Sequence, residues 1–277
     1  MFIHQIALVS QSKKIKLSEL TKASASLQKQ ASKDIAPIWE VQATVDVFQD
    51  LKDVPLGYWP VIIMDQIDDP SAAGYHTDKN HQPYSLVAYS ESWTLTCSHE
   101  ICEMLVDPYG NKMKSGLSPN GKERVHYLVE VCDPCEDSSC AYFINGHLVS
   151  DFYTPDYFDS AGSGKYSFKG SLTKPRQILK NGYLSWYSPK DKKWHQATYF
   201  GKSVVTQVLE GMENMEGSLR SRVDRLTNFQ ELKKGITNKS LLKKQQSISK
   251  ISSAAGADMQ DHWEQTIGLL MKPKSLK

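Results

Sequence analysis

One short segment constrains this chain most strongly. Residues 96–108 read TCSHEICEMLVDP and place a histidine and three carboxylates in a stretch that otherwise predicts a buried helix. His99 and Glu103 are four residues apart, so they project from the same face of a helix. Buried carboxylates without partners cost several kcal/mol, so a cation, a proton or a hydrogen-bond network must compensate for them. The segment therefore makes metal-assisted hydrolysis the first hypothesis.

Residues 99–103 read HEICE and resemble the HExxH helix of zincin metallopeptidases, in which two histidines bind zinc and the glutamate activates a water. This resemblance implies that His99 and Glu103 bind zinc and that Glu100 is the general base. A glutamate stands here in place of the second histidine, and its negative charge leaves the bound water less acidic than at a three-histidine site. The alternative is an ordinary amphipathic helix with a buried histidine and a surface-facing glutamate.

A second segment, residues 126–135, reads HYLVEVCDPC and interrupts an apolar, strand-like run with carboxylates. Either Glu130 or Asp133 could be the third ligand. In an extended strand these two side chains point to opposite faces, so only one reaches a given metal unless the chain turns. Pro134 favours a turn after Asp133, which makes Asp133 the preferred ligand. The Asp107-Pro108 pair is expected to end the helix and cap the next turn.

Together the two segments, SHExxExxxDP followed by ExxDxC, resemble the zincin-like core of the phosphate-induced, EXORDIUM-type proteins and similar bacterial proteins. The match covers about residues 96–135, and these residues fall on motif positions: His99, Glu100, Glu103, Asp107, Glu130, Asp133 and Cys135. The resemblance implies a zinc peptidase or amide hydrolase that holds about one divalent ion per chain and acts on a peptide or protein. A non-catalytic zincin-fold binding or structural protein remains the alternative, because fold analogy does not establish activity.

The hydrophobic pattern predicts an α+β fold. Strands are expected at residues 3–10, 39–48, 59–67 and 84–89, with a short edge at 74–76, and helices at 17–35 and 91–106. This order resembles a zincin N-terminal subdomain, a small mixed sheet with an active-site helix. By that resemblance the edge near Gly74–His76 would bind an extended peptide as an added strand. His76 and His81 are placed in a polar loop, as possible extra ligands or oxyanion donors.

Three regions are expected: a zincin-like metal-binding domain (1–142), a β-rich aromatic subdomain packed on it (143–200) and a helical, flexible basic tail (201–277). Asn145-Gly146 and Asn181-Gly182 predict hairpin turns, and the aromatic residues of the subdomain are expected to form its core. The tail has thirteen lysines and arginines against eight acidic residues, a net charge of +5. It is predicted to be helical through Leu226, flexible over 238–253 and helical again over 257–271, where it could dock a protein partner.

Composition also bears on where the protein is located and on whether it binds membranes or nucleic acids. The first ten residues have no basic region or long apolar core, which predicts a cytoplasmic location and leaves non-classical export open. No run of about 18 apolar residues predicts a membrane span, and no nucleic-acid signature is present.

The chain has five cysteines. Cys132, Cys135 and Cys140 could form half of a zinc knuckle or a disulfide, but an odd count without an export signal favours reduced thiols.

Overall fold

The computed structural model describes residues 2–70, 72–162 and 164–227, together with residues 243 and 265. Its first sheet consists of β1 (His4–Ser10), β2 (Ala43–Phe48), β3 (Trp59–Met64), β4 (Gly74–Lys79) and β5 (Gln82–Ala88). The strand order is β2-β1-β3-β5-β4. The first four strands in this order are parallel, and β4 pairs antiparallel with β5 at the edge. The predicted mixed sheet is therefore confirmed.

Helix α1 (Leu17–Lys29) continues through a π-helical turn (Gln30–Ile35) into the short helix α2 (Ala36–Trp39). The prediction that this helix ends before Pro37 was wrong. Pro37 lies in the first turn of α2, where its missing N–H removes no helical hydrogen bond. Strand β2 consequently begins at residue 43 and not at residue 39.

Helix α3 (Trp93–Val106) packs on β4 and β5 and carries the HEICE segment. The Oγ of Ser98 donates a 2.7 Å hydrogen bond to the side chain of Gln30, and it accepts one from the backbone N–H of Ser150. These buried bonds fix the helix against the π-helical turn and the loop after residue 149. The rotation of α3 about its axis is thereby set, and with it the direction of its acidic face.

The second sheet is antiparallel and contains β6 (Met113–Leu117), β7 (Arg124–Leu128), β10 (Tyr183–Ser188), β11 (Lys193–Thr198) and β12 (Val205–Val208). Its order is β12-β11-β10-β7-β6, so it joins strands from both sides of residue 142. A separate hairpin pairs β8 (Tyr142–Ile144) with β9 (His147–Val149).

The two Asn-Gly dipeptides behave differently. Asn145 and Gly146 both have positive φ and form the predicted hairpin turn between β8 and β9. Asn181-Gly182 does not join two strands, so that prediction was wrong. Gly182 lies against the backbone of residues 133 and 134, where an added Cβ would come within 2.6 Å of the Pro134 carbonyl oxygen.

Aromatic side chains of residues 143–200 fill the core, as predicted. Tyr153, Tyr157 and Phe158 are buried and pack on one another, with Phe158 also against Tyr127. Phe152 is buried and stacks on Phe168. Helix α4 (Leu219–Leu226) is the described C-terminal helix. The helix predicted from residue 201 was wrong up to residue 218, because β12 pairs there with β11. The predictions for 238–253 and 257–271 lie outside the described residues, and the three-region division stays a prediction.

Among the residues that the structure describes, none of the helices combines the length and apolarity needed to cross a membrane.

Candidate metal centre

Two chain segments bring the central side chains together. Helix α3 presents His99 and Glu103 from one face, as their spacing predicts. Strand β7 ends at Leu128, and the chain then turns through a short 3-10 helix at Asp133–Cys135. The opposite-face expectation for Glu130 and Asp133 held only for an extended strand, and the chain turns here, as Pro134 predicts. Both carboxylates reach Glu103, and their ligand atoms lie within 4.8 Å of one another.

The His99 imidazole faces two carboxylates. Its Nε2 is 3.2 Å from Oε2 of Glu103 and 3.4 Å from Oδ1 of Asp133. Zinc ligands at about 2.0–2.2 Å in tetrahedral geometry are separated from one another by about 3.3–3.6 Å. Each of the two separations from Nε2 is therefore close to that between two ligands of one ion. Glu136 and Cys132 each add a further ligand atom within 4.8 Å of His99.

The charges of this group are strongly coupled. Burial lowers the pKa of His99, but the facing carboxylates of Glu103 and Asp133 outweigh it and raise that pKa well above its ordinary value. Burial and the nearby Glu103 raise the pKa of Asp133 to about 8. Burial alone would raise the pKa of Glu103, yet His99 and Arg220 hold it well below its usual range. A proton on His99 thus competes with any metal for the same nitrogen.

Three members of the cluster were not predicted from the sequence: Glu136, Asp224 and Arg220 of α4. Arg220 contacts most of the others. Its Nε lies 2.9 Å from Oε2 of Glu130, and its Nη2 lies 3.4 Å from Oε2 of Glu100 and 3.3 Å from Oε2 of Glu103. Its Nη1 donates to the His76 carbonyl at 3.1 Å and lies 3.4 Å from a carboxylate oxygen of Asp224. Every nitrogen of the guanidinium is therefore engaged.

Helix α4 is held against the end of α3 by local contacts. Ser218 caps α4 by accepting from the backbone N–H of Ser221, and the backbone N–H of Arg220 donates to the Gly110 carbonyl at 2.9 Å. Gly110 has φ +60°, and an added Cβ there would come within 2.9 Å of Arg220 and Ser218. The capped helix was readable in the sequence, but nothing in it indicates that Arg220 enters the acidic cluster.

His76 also joins the cluster; the short edge predicted at 74–76 is confirmed, and the polar-loop position also given for His76 was wrong. It lies on β4, and its side chain is buried. Its Nε2 is 3.0 Å from the Asp107 carbonyl, and its Nδ1 is 3.6 Å from Oε2 of Glu100 and 3.8 Å from Oε2 of Glu103. His81 stays outside, with its ring against Tyr109. Asp107 caps the following turn as predicted, because its carboxylate accepts from the backbone N–H of residue 112.

Carboxyl groups outnumber bases in the cluster, and burial raises the pKa values of Glu130, Asp133 and Glu136 above their ordinary values. One guanidinium and two imidazoles face six carboxylates: Glu100, Glu103, Glu130, Asp133, Glu136 and Asp224. Among the described residues, four of the cluster's buried atoms have no hydrogen-bond partner: Nδ1 of His76, Oε1 of Glu130, Oδ1 of Asp133 and Oε1 of Glu136. Unpartnered buried acceptors of this kind fit a bound cation.

A cleft of about 450 Å³ opens onto this cluster. Its walls are β4, the first half of α3, the loop before β4, Tyr183 and one face of α4, and both His99 and Glu100 line it. Gly74 permits the close approach of β4 to α3, since an added Cβ would lie 2.7 Å from Cγ2 of Thr96 and 3.1 Å from Oε1 of Glu100. The catalytic candidate Glu100 is thus both buried and adjacent to the cleft.

The five cysteines all lie in the described part of the chain, are buried and form no disulfide. Burial and the neighbouring Cys102 raise the pKa of the Cys132 thiol well above its ordinary value. A protonated thiol is a poor metal ligand, so Cys132 would have to lose its proton to bind a metal beside His99.

The chain matches no protein-family model, and neither the curated proteins nor the solved structures give a match. The fold and the site together define an α+β protein with a buried histidine–carboxylate group that could hold a metal ion.

Proposed function

We propose that this protein is a metal-dependent hydrolase of the zincin-like type, specifically a zinc peptidase that holds about one ion per chain. One observation carries the proposal. Nε2 of His99 lies at ligand spacing from carboxylate oxygens of Glu103 and Asp133, and His99 and Glu100 both line the cleft. Imidazole combined with carboxylates suits zinc better than calcium.

In this proposal His99, Glu103 and Asp133 bind the ion, and Glu130 supports the site through its ion pair with Arg220. A bound zinc ion would polarise the scissile carbonyl and acidify a water. Glu100 is the general base: it takes a proton from the attacking water and passes it to the leaving amine. Arg220 holds Oε2 of Glu100, while Oε1 faces Gly74 at the cleft wall.

The edge strand β4 supplies the proposed substrate contact. Among the described strands β4 pairs with β5 alone, so its other side can accept an extended peptide as an added strand. The carbonyl of Ala73 bonds to Ala88 of β5, so by strand alternation the backbone groups of Gly74 and His76 point to the free side. Nη1 of Arg220 already donates a hydrogen bond to the His76 carbonyl. The open hydrogen-bonding positions therefore lie at the Gly74 end.

The test combines metal content with a Glu100→Gln comparison on a broad peptide library. Protein purified without added metal should hold about one zinc per chain, and both His99→Ala and Glu103→Ala should lose it. Glu100→Gln should keep the zinc and the fold yet hydrolyse about 10²–10⁴-fold more slowly, the usual contribution of a positioned acid–base group. A Glu100→Gln protein as active as its parent would refute the role of Glu100.

A second candidate function is a non-catalytic binding or structural protein on the same scaffold. The observation that favours it is Arg220, which already supplies one positive charge to Glu100, Glu103 and Glu130. In that case the acidic cluster is a hydrogen-bonded network. Absence of zinc from the purified protein, with wild-type stability after chelator treatment, would support this candidate over the peptidase.

A further inference from the structure

A second set of ligand atoms lies next to the His99 centre. Nδ1 of His76, Oε2 of Glu100 and Oε2 of Glu103 lie within 4.8 Å of one another, and all three residues are buried. The 3.6 and 3.8 Å separations from Nδ1 are close to those between two ligands of one ion. Glu103 belongs to both sets.

The hydrogen bonding of His76 leaves its Nδ1 as a ligand-type atom. Nε2 faces the Asp107 carbonyl at 3.0 Å, and a carbonyl only accepts, so Nε2 carries a proton. Nδ1 faces two carboxylates and makes no hydrogen bond among the described residues. Nδ1 lies 3.6 and 3.8 Å from two carboxylate oxygens, and a cation bound among these three atoms would give each of them a partner.

The guanidinium of Arg220 is the cation that lies beside these two carboxylate oxygens. Its Nη2 lies 3.4 and 3.3 Å from the same two oxygens, Oε2 of Glu100 and Oε2 of Glu103. The rest of the guanidinium is fixed from three sides by Glu130, Asp224 and the His76 carbonyl. The positive charge is thus held in place by the fold of α4.

We propose that Arg220 is a built-in cation that fills a latent second divalent-metal site formed by His76, Glu100 and Glu103. The site would take a borderline ion that accepts both imidazole and carboxylate, for which zinc is the probe. Glu103 would bridge the two ions, as carboxylates do in two-metal centres. By occupying the site, Arg220 keeps Glu100 in an ion pair instead of in the coordination shell of a metal.

The test is metal stoichiometry in Arg220→Met, which keeps an unbranched side chain but removes the charge. After loading with zinc and removal of free metal, Arg220→Met should hold one more ion per chain than the wild type, measured by inductively coupled plasma mass spectrometry. The extra ion should disappear in the Arg220→Met/His76→Ala double variant. Arg220→Lys, which retains a positive charge, and Arg222→Met, at a half-buried neighbour that bonds to the Gly217 carbonyl, should both match the wild type.

Two results would overturn the proposal: a folded Arg220→Met with wild-type stoichiometry, or an extra ion that survives His76→Ala. If Arg220→Met unfolds in metal-free buffer, circular dichroism against added zinc gives the answer. Zinc should restore the fold, whereas restoration by an alkylguanidinium alone would show that the position does not accept a metal. Because the readout is the difference from the wild type, it is independent of whether the wild type holds zinc or hydrolyses peptides.

Discussion

Replacing Asp133 with asparagine should stabilise the metal-free protein but weaken its binding of zinc. Asp133 is buried, and its pKa is raised from 3.8 to about 8 by burial and by Glu103. In metal-free protein its charge therefore opposes folding, while in metal-loaded protein the same charge binds the ion. Asp133→Asn should stabilise the metal-free protein at pH 8 and weaken zinc binding.

The magnitude follows from the pKa difference. A group with a raised native pKa favours the folded state below its unfolded pKa, and that advantage is lost as the pH rises from about 4 to about 8. Four pKa units correspond to a ceiling of about 5 kcal/mol, at 1.36 kcal/mol per unit. The substitution also removes the 3.4 Å contact with His99, which offsets part of this gain. We expect a net stabilisation of about 1–3 kcal/mol at pH 8 that shrinks toward pH 4.

The assay is urea unfolding of chelator-treated protein at pH 5 and pH 8, paired with zinc titration. Loss of a direct ligand should lower zinc affinity by more than the roughly 10–100-fold typical of a supporting residue. Glu130→Gln is the matched comparison, because Glu130 lies in the same cluster but pairs with Arg220. Equal zinc affinity for the two variants, or an Asp133→Asn protein no more stable at pH 8 than its parent, would refute this reasoning.

Three further predictions follow from single contacts. Zinc binding near pH 7 should release protons, because the pKa of His99 is raised; calorimetry in buffers of different ionisation enthalpy measures the release, and a proton-neutral reaction would contradict it. Gly182→Ala should displace the 133–135 turn, and therefore destabilise the protein by about 1–3 kcal/mol and weaken zinc binding. The control is Gly201→Ala, which has open space around it and should change neither stability nor zinc affinity. Thermal unfolding and zinc titration measure both variants. Gly74→Ala should also destabilise by about 1–3 kcal/mol, and adding Thr96→Ser, which removes the clashing methyl, should restore much of the loss on thermal unfolding; no recovery would place the strain elsewhere.

Local spacing was sufficient to predict the acidic face of α3. His99 and Glu103 are one helical turn apart, so periodicity alone places them together. Their downstream partners were predicted as alternatives, because a strand was assumed where β7 in fact ends at Leu128. The turn that brings Glu130 and Asp133 to the same side depends on packing against Gly182, a contact that no local pattern encodes.

Arg220 and His76 were beyond local reasoning for different physical reasons. Arg220 is separated from Glu103 by 117 residues, and only tertiary docking of α4 brings it into the cluster. The Gly74–Lys79 segment is polar, and its short alternation resembles a loop, although pairing with β5 makes it an edge strand. An edge strand with one solvated face carries polar residues by necessity, so composition alone does not distinguish it from a loop.

During synthesis, the carboxylates of α3 are made well before Arg220, because the two lie far apart in sequence. At about 5–20 residues per second, ribosomes need roughly 6–23 s to extend the chain from Glu103 to Arg220. Until then the carboxylates on α3 lack the guanidinium that neutralises them, so the nascent chain cannot complete this buried cluster. The centre can therefore mature only after most of the polypeptide has been made, and a truncated product ending before α4 would lack an assembled site.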